Sequence, residues 1–178
     1  LSQYTSLEEF SAAFVDRLQS LANAHGLLTR SNWAGAQVRD LVSEELAPYR
    51  GRDGNNITVT GGAALLKPNA ALSLAMVLHE LATNAGKYGA LSVPSGRVEV
   101  RWHRRRDRDG APELTLQWTE SGGPEIKELP RRGFGLRFIE HSVAYELYGT
   151  VDLSFAPTGL TVTMSLPLAD NLVEPPPG

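Results

Sequence analysis

The sequence predicts an α+β fold, a two-layer α/β sandwich preceded by an N-terminal helical segment. Three observations carry this prediction. Two runs of helical periodicity occupy residues 6–46, and a long apolar-periodic helix opens at Pro68. Beyond it, strand-like alternation appears at Val98–Trp102, Leu114–Trp118 and Leu160–Leu166, around a further helix. Hairpin-type strands mixed with helices pack as layers of this kind.

Taken in order, Ser6-Leu7-Glu8-Glu9 is a capping-box pattern, and Leu7, Phe10, Phe14, Leu18 and Leu21 recur at helical spacing. Gly26 after His25 predicts the stop. A second helix is expected from Asn32, carrying Val38, Leu41, Val42 and Leu46, and ending before Pro48. Gly51–Asn56 is turn-rich, so a domain boundary is expected there or slightly earlier. Ile57-Thr-Val-Thr reads as a strand, and the long helix runs from Ala70 to about Tyr88. Later come a helix around Leu136–Leu147 and a weaker strand at Val151–Phe155. The tail Glu174-Pro-Pro-Pro-Gly has linker composition.

Bulk properties exclude several classes. With 178 residues, 42% of them apolar, the chain can bury roughly 70% of its unfolded surface, so a core forms without staples. Net charge is −3, which supplies no global field for nucleic acid or acidic membranes. The basic run Arg101–Arg108 is local, broken by Asp107, and reads as a solvated hairpin tip. The absence of cysteine rules out disulfides, Cys-based zinc sites and a thiol nucleophile, and suits the cytoplasm. No apolar run approaches the ~18 residues of a membrane span. The chain begins at Leu1, and is expected to be a piece of a longer protein.

The informative segment is His79-Glu-Leu-Ala-Thr-Asn-Ala-Gly-Lys-Tyr88. On a helix, Leu74, Leu78, Leu81 and Ala85 form one apolar stripe, while Glu80, Asn84 and Lys87 align on a polar one. A carboxylate, an amide and an ammonium in a row suit a metal–phosphate ligand, because Mg²⁺ prefers hard oxygen donors and phosphate attracts a cation. Alone, that face is equally the solvated side of any amphipathic helix. Two glycine clusters add to it: Trp118-Thr-Glu-Ser-Gly-Gly-Pro124 after a strand, and Gly133-Phe-Gly135 before a helix. Glycines at a strand exit admit close backbone approach, and a helix start offers N–H groups to phosphate. Neither cluster matches the P-loop or the dinucleotide-binding pattern.

In order and spacing these segments resemble the N, G1 and G2 boxes of the GHKL ATPases, which share the Bergerat nucleotide-binding fold. His79 together with Trp118-x-Glu120 resembles, more narrowly, the HWE sensor histidine kinases. The resemblance covers residues 6 to about 168. It implies ATP and Mg²⁺ as cofactors, with Asn84 on the metal and Glu80 acting on the metal or its water. Lys87 would approach the phosphates and Tyr88 would flank the nucleotide. Glu120 would accept a hydrogen bond from the adenine amino group, and Gly122 would give adenine room. Gly133, Phe134, Gly135 and Leu136 would form the phosphate-facing start of the next helix. Pro124–Arg132 would be a short ATP lid, with Arg131, Arg132 and Arg137 as possible phosphate contacts. His79 and Trp118 mark the family without an implied chemical role; Trp118 reads as core.

The division the resemblance implies is residues 1–30 as the second helix of the phosphoacceptor hairpin, 31–168 as the catalytic ATP-binding domain, and 169–178 as a disordered tail. The expected partners are a response-regulator receiver domain and the phosphoacceptor helix of the same or a partner kinase, in the bacterial cytoplasm, with no nucleic acid. His25 lacks the Arg and Asn pattern the family places after its acceptor, so the phosphorylated histidine is expected upstream of Leu1. Two other classes share the boxes. A protein-binding module of anti-sigma or phosphotransferase type usually loses the asparagine and glycines, all present here as Asn84, Gly122, Gly133 and Gly135. An ATP-driven clamp could use Glu80 as a hydrolytic base, but needs transducer domains that this chain does not supply.

Overall fold

A computed structural model describes residues 7–128 and 133–173 of the chain. Its first helix, α1, spans Leu7–Arg30, one turn past the stop expected at Gly26. Packing explains the extension. Leu28 is wholly buried and Ala24 nearly so. Burying a leucine is worth about 1.5–3 kcal/mol, more than the ~1 kcal/mol that a mid-helix glycine costs. The helix ends where Asn32 and Trp33 take positive φ, 51° and 60°. That left-handed pair moves the second helix downstream of its expected start. A two-residue strand β1 (Ala36–Gln37) comes first, then α2 (Val38–Leu46), which closes in a 3₁₀ turn around Pro48.

The remaining elements are β2 (Ile57–Gly61), β3 (Leu65–Leu66), α3 (Pro68–Lys87), β4 (Arg97–Arg106), β5 (Pro112–Ser121), α4 (Phe134–His141), β6 (Thr150–Ala156), β7 (Gly159–Pro167) and α5 (Leu168–Asn171). Pro68 takes the first turn of α3, where its missing N–H costs nothing. The helix expected to reach Leu147 does so by widening: α4 continues as a π-helical turn over Ser142–Glu146, with Leu147 N–H donating to the Ser142 carbonyl at 3.0 Å.

Five strands form a sheet in the order β2-β4-β5-β7-β6, with β2 and β4 parallel and the other neighbours antiparallel. Alternation sorts the faces. Val98, Val100 and Trp102 of β4, Leu114, Leu116 and Trp118 of β5, and Val162, Met164 and Leu166 of β7 are buried. They meet the stripe Leu74, Leu78, Leu81 and Ala85 of α3, all within 1% of complete burial. The result is the two-layer α+β sandwich, with α1 laid against α2 and α3.

The end of the chain departs from the expected tail at 169–178. Leu172 is buried, Lys67 N–H donates to the Asn171 carbonyl at 2.8 Å, and Val173 N–H donates to Leu65. Asn171 Nδ2 donates to Leu147 and Pro167 carbonyls at 2.7 and 2.9 Å. An apolar side chain and satisfied backbone make residues 169–173 part of the fold, while 174–178 lie outside the described residues. Among the described residues no helix is long and apolar enough to cross a membrane.

Candidate functional site

The C-terminal turn of α3, the end of β5, the start of α4 and the start of β7 surround a cavity of about 280 Å³. Asn84, Tyr88 and Glu120 bring polar groups to it, and Ile126, Leu136, Phe155 and Leu160 bring apolar ones. A mostly apolar cleft with a few convergent polar groups is the usual form of a small-molecule site.

Glu120 is 6% exposed, and both carboxylate oxygens are held. Oε2 accepts the Ala90 N–H at 2.8 Å, and Oε1 accepts the Trp118 indole N–H at 3.1 Å. Strand alternation puts residues 118 and 120 on one face of β5, which is why the tryptophan can reach the glutamate. Burial pushes the Glu120 carboxyl above its ordinary range, and the hydrogen bonds from Ala90 and Trp118 only partly offset this. Trp118 is wholly buried, as a core residue would be, yet it also aims the carboxylate.

The glycines divide their tasks. Gly122 takes φ +68°, and a Cβ there would stand 2.5 Å from the Ser95 carbonyl oxygen, so it turns the chain against the 95 loop. It is not part of the cavity wall; Gly123 is, and a Cβ on Gly123 would fall 2.6 Å from Ala90 Cα. Gly133 lines the cavity just ahead of α4, and Leu136 lines it one turn in. Phe134 is half exposed and stacks on Phe138 with ring centroids 6.4 Å apart.

The polar face of α3 is split. Asn84 and Tyr88 line the cavity, Tyr88 being 72% exposed, and Lys87 is exposed in the last helical turn. Glu80 lies outside the lining. Its Oε2 pairs with Arg17 Nη2 of α1 at 2.8 Å, and its Oε1 sits where a Cβ on Gly135 would be, 2.1 Å away. His79 Nδ1 lies 3.0 Å from Glu45 Oε2, whose other oxygen accepts from Ser20 Oγ at 2.5 Å. Since a carboxylate only accepts, Nδ1 carries the proton.

Of the expected lid, Pro124, Ile126 and Glu128 line the cavity. Residues 129–132, with Arg131 and Arg132, lie outside the described residues, and Arg137 is exposed on α4. His25 is exposed near the end of α1, edge-on to Trp33 at 5.2 Å. Sequence reasoning missed Ala90, Gly123, Phe155 and Leu160. Only Gly123 carried a usable signal, as the second glycine of its pair. The others arrive from separate elements. Among the described residues no three His, Cys, Asp or Glu side chains cluster as a metal cage.

Residues 1–63 match the family model of the HWE histidine kinases. The blue-light-activated histidine kinase of Brucella ovis is 36% identical over 165 residues, 93% of this chain and 34% of that protein. Its counterpart in Brucella anthropi is 34% identical over 172 residues, 97% of this chain and 35% of that one. The chain thus spans about a third of the length of the curated relatives it matches. Among solved structures, the histidine kinase domain of the Erythrobacter litoralis blue-light activated histidine kinase is similar with a TM-score of 0.64 and 18% identity, over 87% of this chain and 74% of that one. The mycobacterial sensor histidine kinase MprB is similar with a TM-score of 0.53 and 21% identity, over 74% of this chain and 95% of that one. The fold is therefore that of histidine-kinase catalytic domains. The chain carries an HWE histidine kinase domain.

Proposed function

We propose that this domain binds ATP with Mg²⁺ in the cavity beside Glu120 and transfers the γ-phosphoryl group to a histidine upstream of the fragment. The observation that carries this reading is the Glu120 carboxylate, buried and aimed by Ala90 and Trp118 at the wall of a cavity that α4 also borders. A carboxylate there suits the adenine amino group as a hydrogen-bond acceptor. Leu136, Ile126 and Leu160 offer apolar surface for the ring, and Gly123 and Gly133 line the cavity without side chains. Asn84 is the metal ligand, Lys87 meets the phosphates, and Tyr88 flanks the nucleotide.

The donor set fits a cation that shares its coordination with phosphate. An amide and a nearby ammonium make no all-protein cage, and Mg²⁺ keeps phosphate and water ligands when it binds nucleotides. When bound, the metal neutralises charge developing on the phosphates. Gly133 and the first turn of α4 orient the phosphate chain. In the transfer, an imidazole nitrogen of the acceptor forms a bond to the γ-phosphorus as the bond to the β-bridging oxygen breaks, and ADP leaves. The acceptor helix, of the same or a partner kinase, would approach beside α1, and a response-regulator receiver domain would take the phosphoryl group onward. This places the domain in the cytoplasm, where ATP is supplied.

Calorimetric titration of ATP with and without Mg²⁺ tests the site. Asn84→Ala should abolish the Mg²⁺-dependent gain in affinity and leave the melting temperature unchanged; Mg²⁺-dependent binding that survives the substitution would overturn the assignment. Incubation of the fragment with labelled ATP should leave no acid-labile phosphate on it. Phosphate on His25 would place the acceptor inside the chain.

A further inference from the structure

Helix α1 reaches the N-terminal neighbour of the nucleotide site on α3 through Arg17. Arg17, Ser20, Ala24 and Leu28 are spaced to fall on one stripe of the helix, and that stripe faces α2 and α3. Ala24 and Leu28 are buried in the core, and Ser20 donates to Glu45. At the head of the stripe, Arg17 pairs with Glu80 at 2.8 Å, with side chains 22% and 8% exposed. The same guanidinium lies 4.8 Å from the Phe134 ring centroid and 5.7 Å from that of Phe138. Phe134 is the first residue of α4, whose start borders the cavity. Glu80 is thus held by α1 through one oxygen, while the other occupies the space that a Cβ on Gly135 would need.

Asn84, one turn along α3, lines the cavity; Glu80 does not. The Glu80 carboxylate is engaged by Arg17 instead. A carboxylate in a charge-assisted bond with a half-sheltered guanidinium is neutralised. A divalent cation brought to the same carboxylate would meet that guanidinium at short range, and like charges repel strongly where water is excluded. Glu80 can therefore serve Arg17 or a metal–nucleotide complex, but not both at once.

We infer that Arg17 is a positioning residue that couples the placement of α1 to the nucleotide site: while it holds Glu80, that carboxylate is withheld from the metal. This rests on the ATP·Mg²⁺ reading above. Because coupling is reciprocal, loosening α1 at Arg17 strengthens Mg·ATP binding, and Mg·ATP loosens the upper half of α1 by the same factor. The lower half stays docked through Ser20, Ala24 and Leu28, so α1 pivots rather than detaches. The two rings under Arg17 extend the coupling to α4.

The test is calorimetric titration of the whole chain with ATP, with and without Mg²⁺. Arg17→Ala should raise affinity for Mg·ATP about fivefold or more, and change Mg²⁺-free ATP affinity by less than about twofold. Arg17→Gln, which keeps length without charge, should do the same and serves if alanine weakens folding. Arg17→Lys should restore most of the ion pair. Introducing Glu80→Gln should erase the difference that Arg17→Ala makes. In the unsubstituted chain, Mg·ATP should speed hydrogen exchange at residues 14–20. Nucleotide binding that is intact but equal or weaker in Arg17→Ala overturns the coupling and leaves the proposed function standing. No ATP binding by the unsubstituted chain overturns both.

Discussion

Trp118 and Glu120 stand two residues apart on β5, so alternation turns both to one face, where the indole N–H meets the carboxylate at 3.1 Å. Trp118→Phe keeps an aromatic ring in the core but removes that donor. We expect a loss of about 1–3 kcal/mol in urea unfolding from the packing change and the unpaired acceptor, with weakened ATP binding by calorimetry. Unchanged ATP affinity would mean that Trp118 is only a core residue. Burial raises the Glu120 carboxyl above the ordinary 4.5, so the native state holds this proton more tightly than the unfolded chain. The stability it contributes is full below the ordinary value and is lost as pH rises through the raised one. Measured against Glu120→Gln across that window, the unsubstituted chain should lose stability with rising pH and then level off; a relative gain would contradict the sign. Gly123→Ala should cost about 1–3 kcal/mol, since its Cβ would press on Ala90 Cα, and should block nucleotide titration. Glu120 was legible through the resemblance of its segment to a G1 box, but the hydrogen bond that Trp118 gives it was not, since Trp118 read as core. The Ala90 N–H, 30 residues away, was not legible either. Nor could the glycine pair be divided without φ, which assigns Gly122 to the turn and Gly123 to the wall.

Helix α1 shows what periodicity conveys and what it omits. Its apolar residues Phe14 and Leu18 were legible at helical spacing, but they are 54% and 50% exposed. The docked stripe is instead mixed, with Arg17 and Ser20 above Ala24 and Leu28, and no hydrophobic pattern announces a polar contact 63 residues away. Gly26 misled for the same reason: local propensity predicted a stop that the burial of Leu28 overrides. The Ser20–Glu45–His79 chain then fixes α1 to α2 and α3 and gives His79 a structural task. Glu45→Ala leaves Ser20 and His79 without their acceptor. It should cost about 1–3 kcal/mol and speed hydrogen exchange in α1 well above that in β5. Equal exchange in α1 with and without the substitution would show that the network does not hold the helix.

For the molecule as a whole, the two-layer sandwich was legible because β4, β5 and β7 alternate cleanly and α3 carries a continuous apolar stripe. The strand order was not, since the parallel pairing of β2 with β4 arises from chain crossing rather than from any local pattern. The folded end at residues 169–173 escaped because short pairings, such as Leu66 with Leu172, lie below the length that periodicity resolves. The cavity forms only when these elements assemble, and its chemistry rests on one buried acceptor. Competition between ATP and GTP for the cavity, followed by calorimetry in Mg²⁺, tests this most directly. Glu120 suits the amino group of adenine and opposes the carbonyl that guanine carries in its place. ATP should therefore bind strongly and GTP weakly or not at all, with the preference lost in Glu120→Ala. Equal binding of the two nucleotides, or a preference that survives Glu120→Ala, would contradict the account.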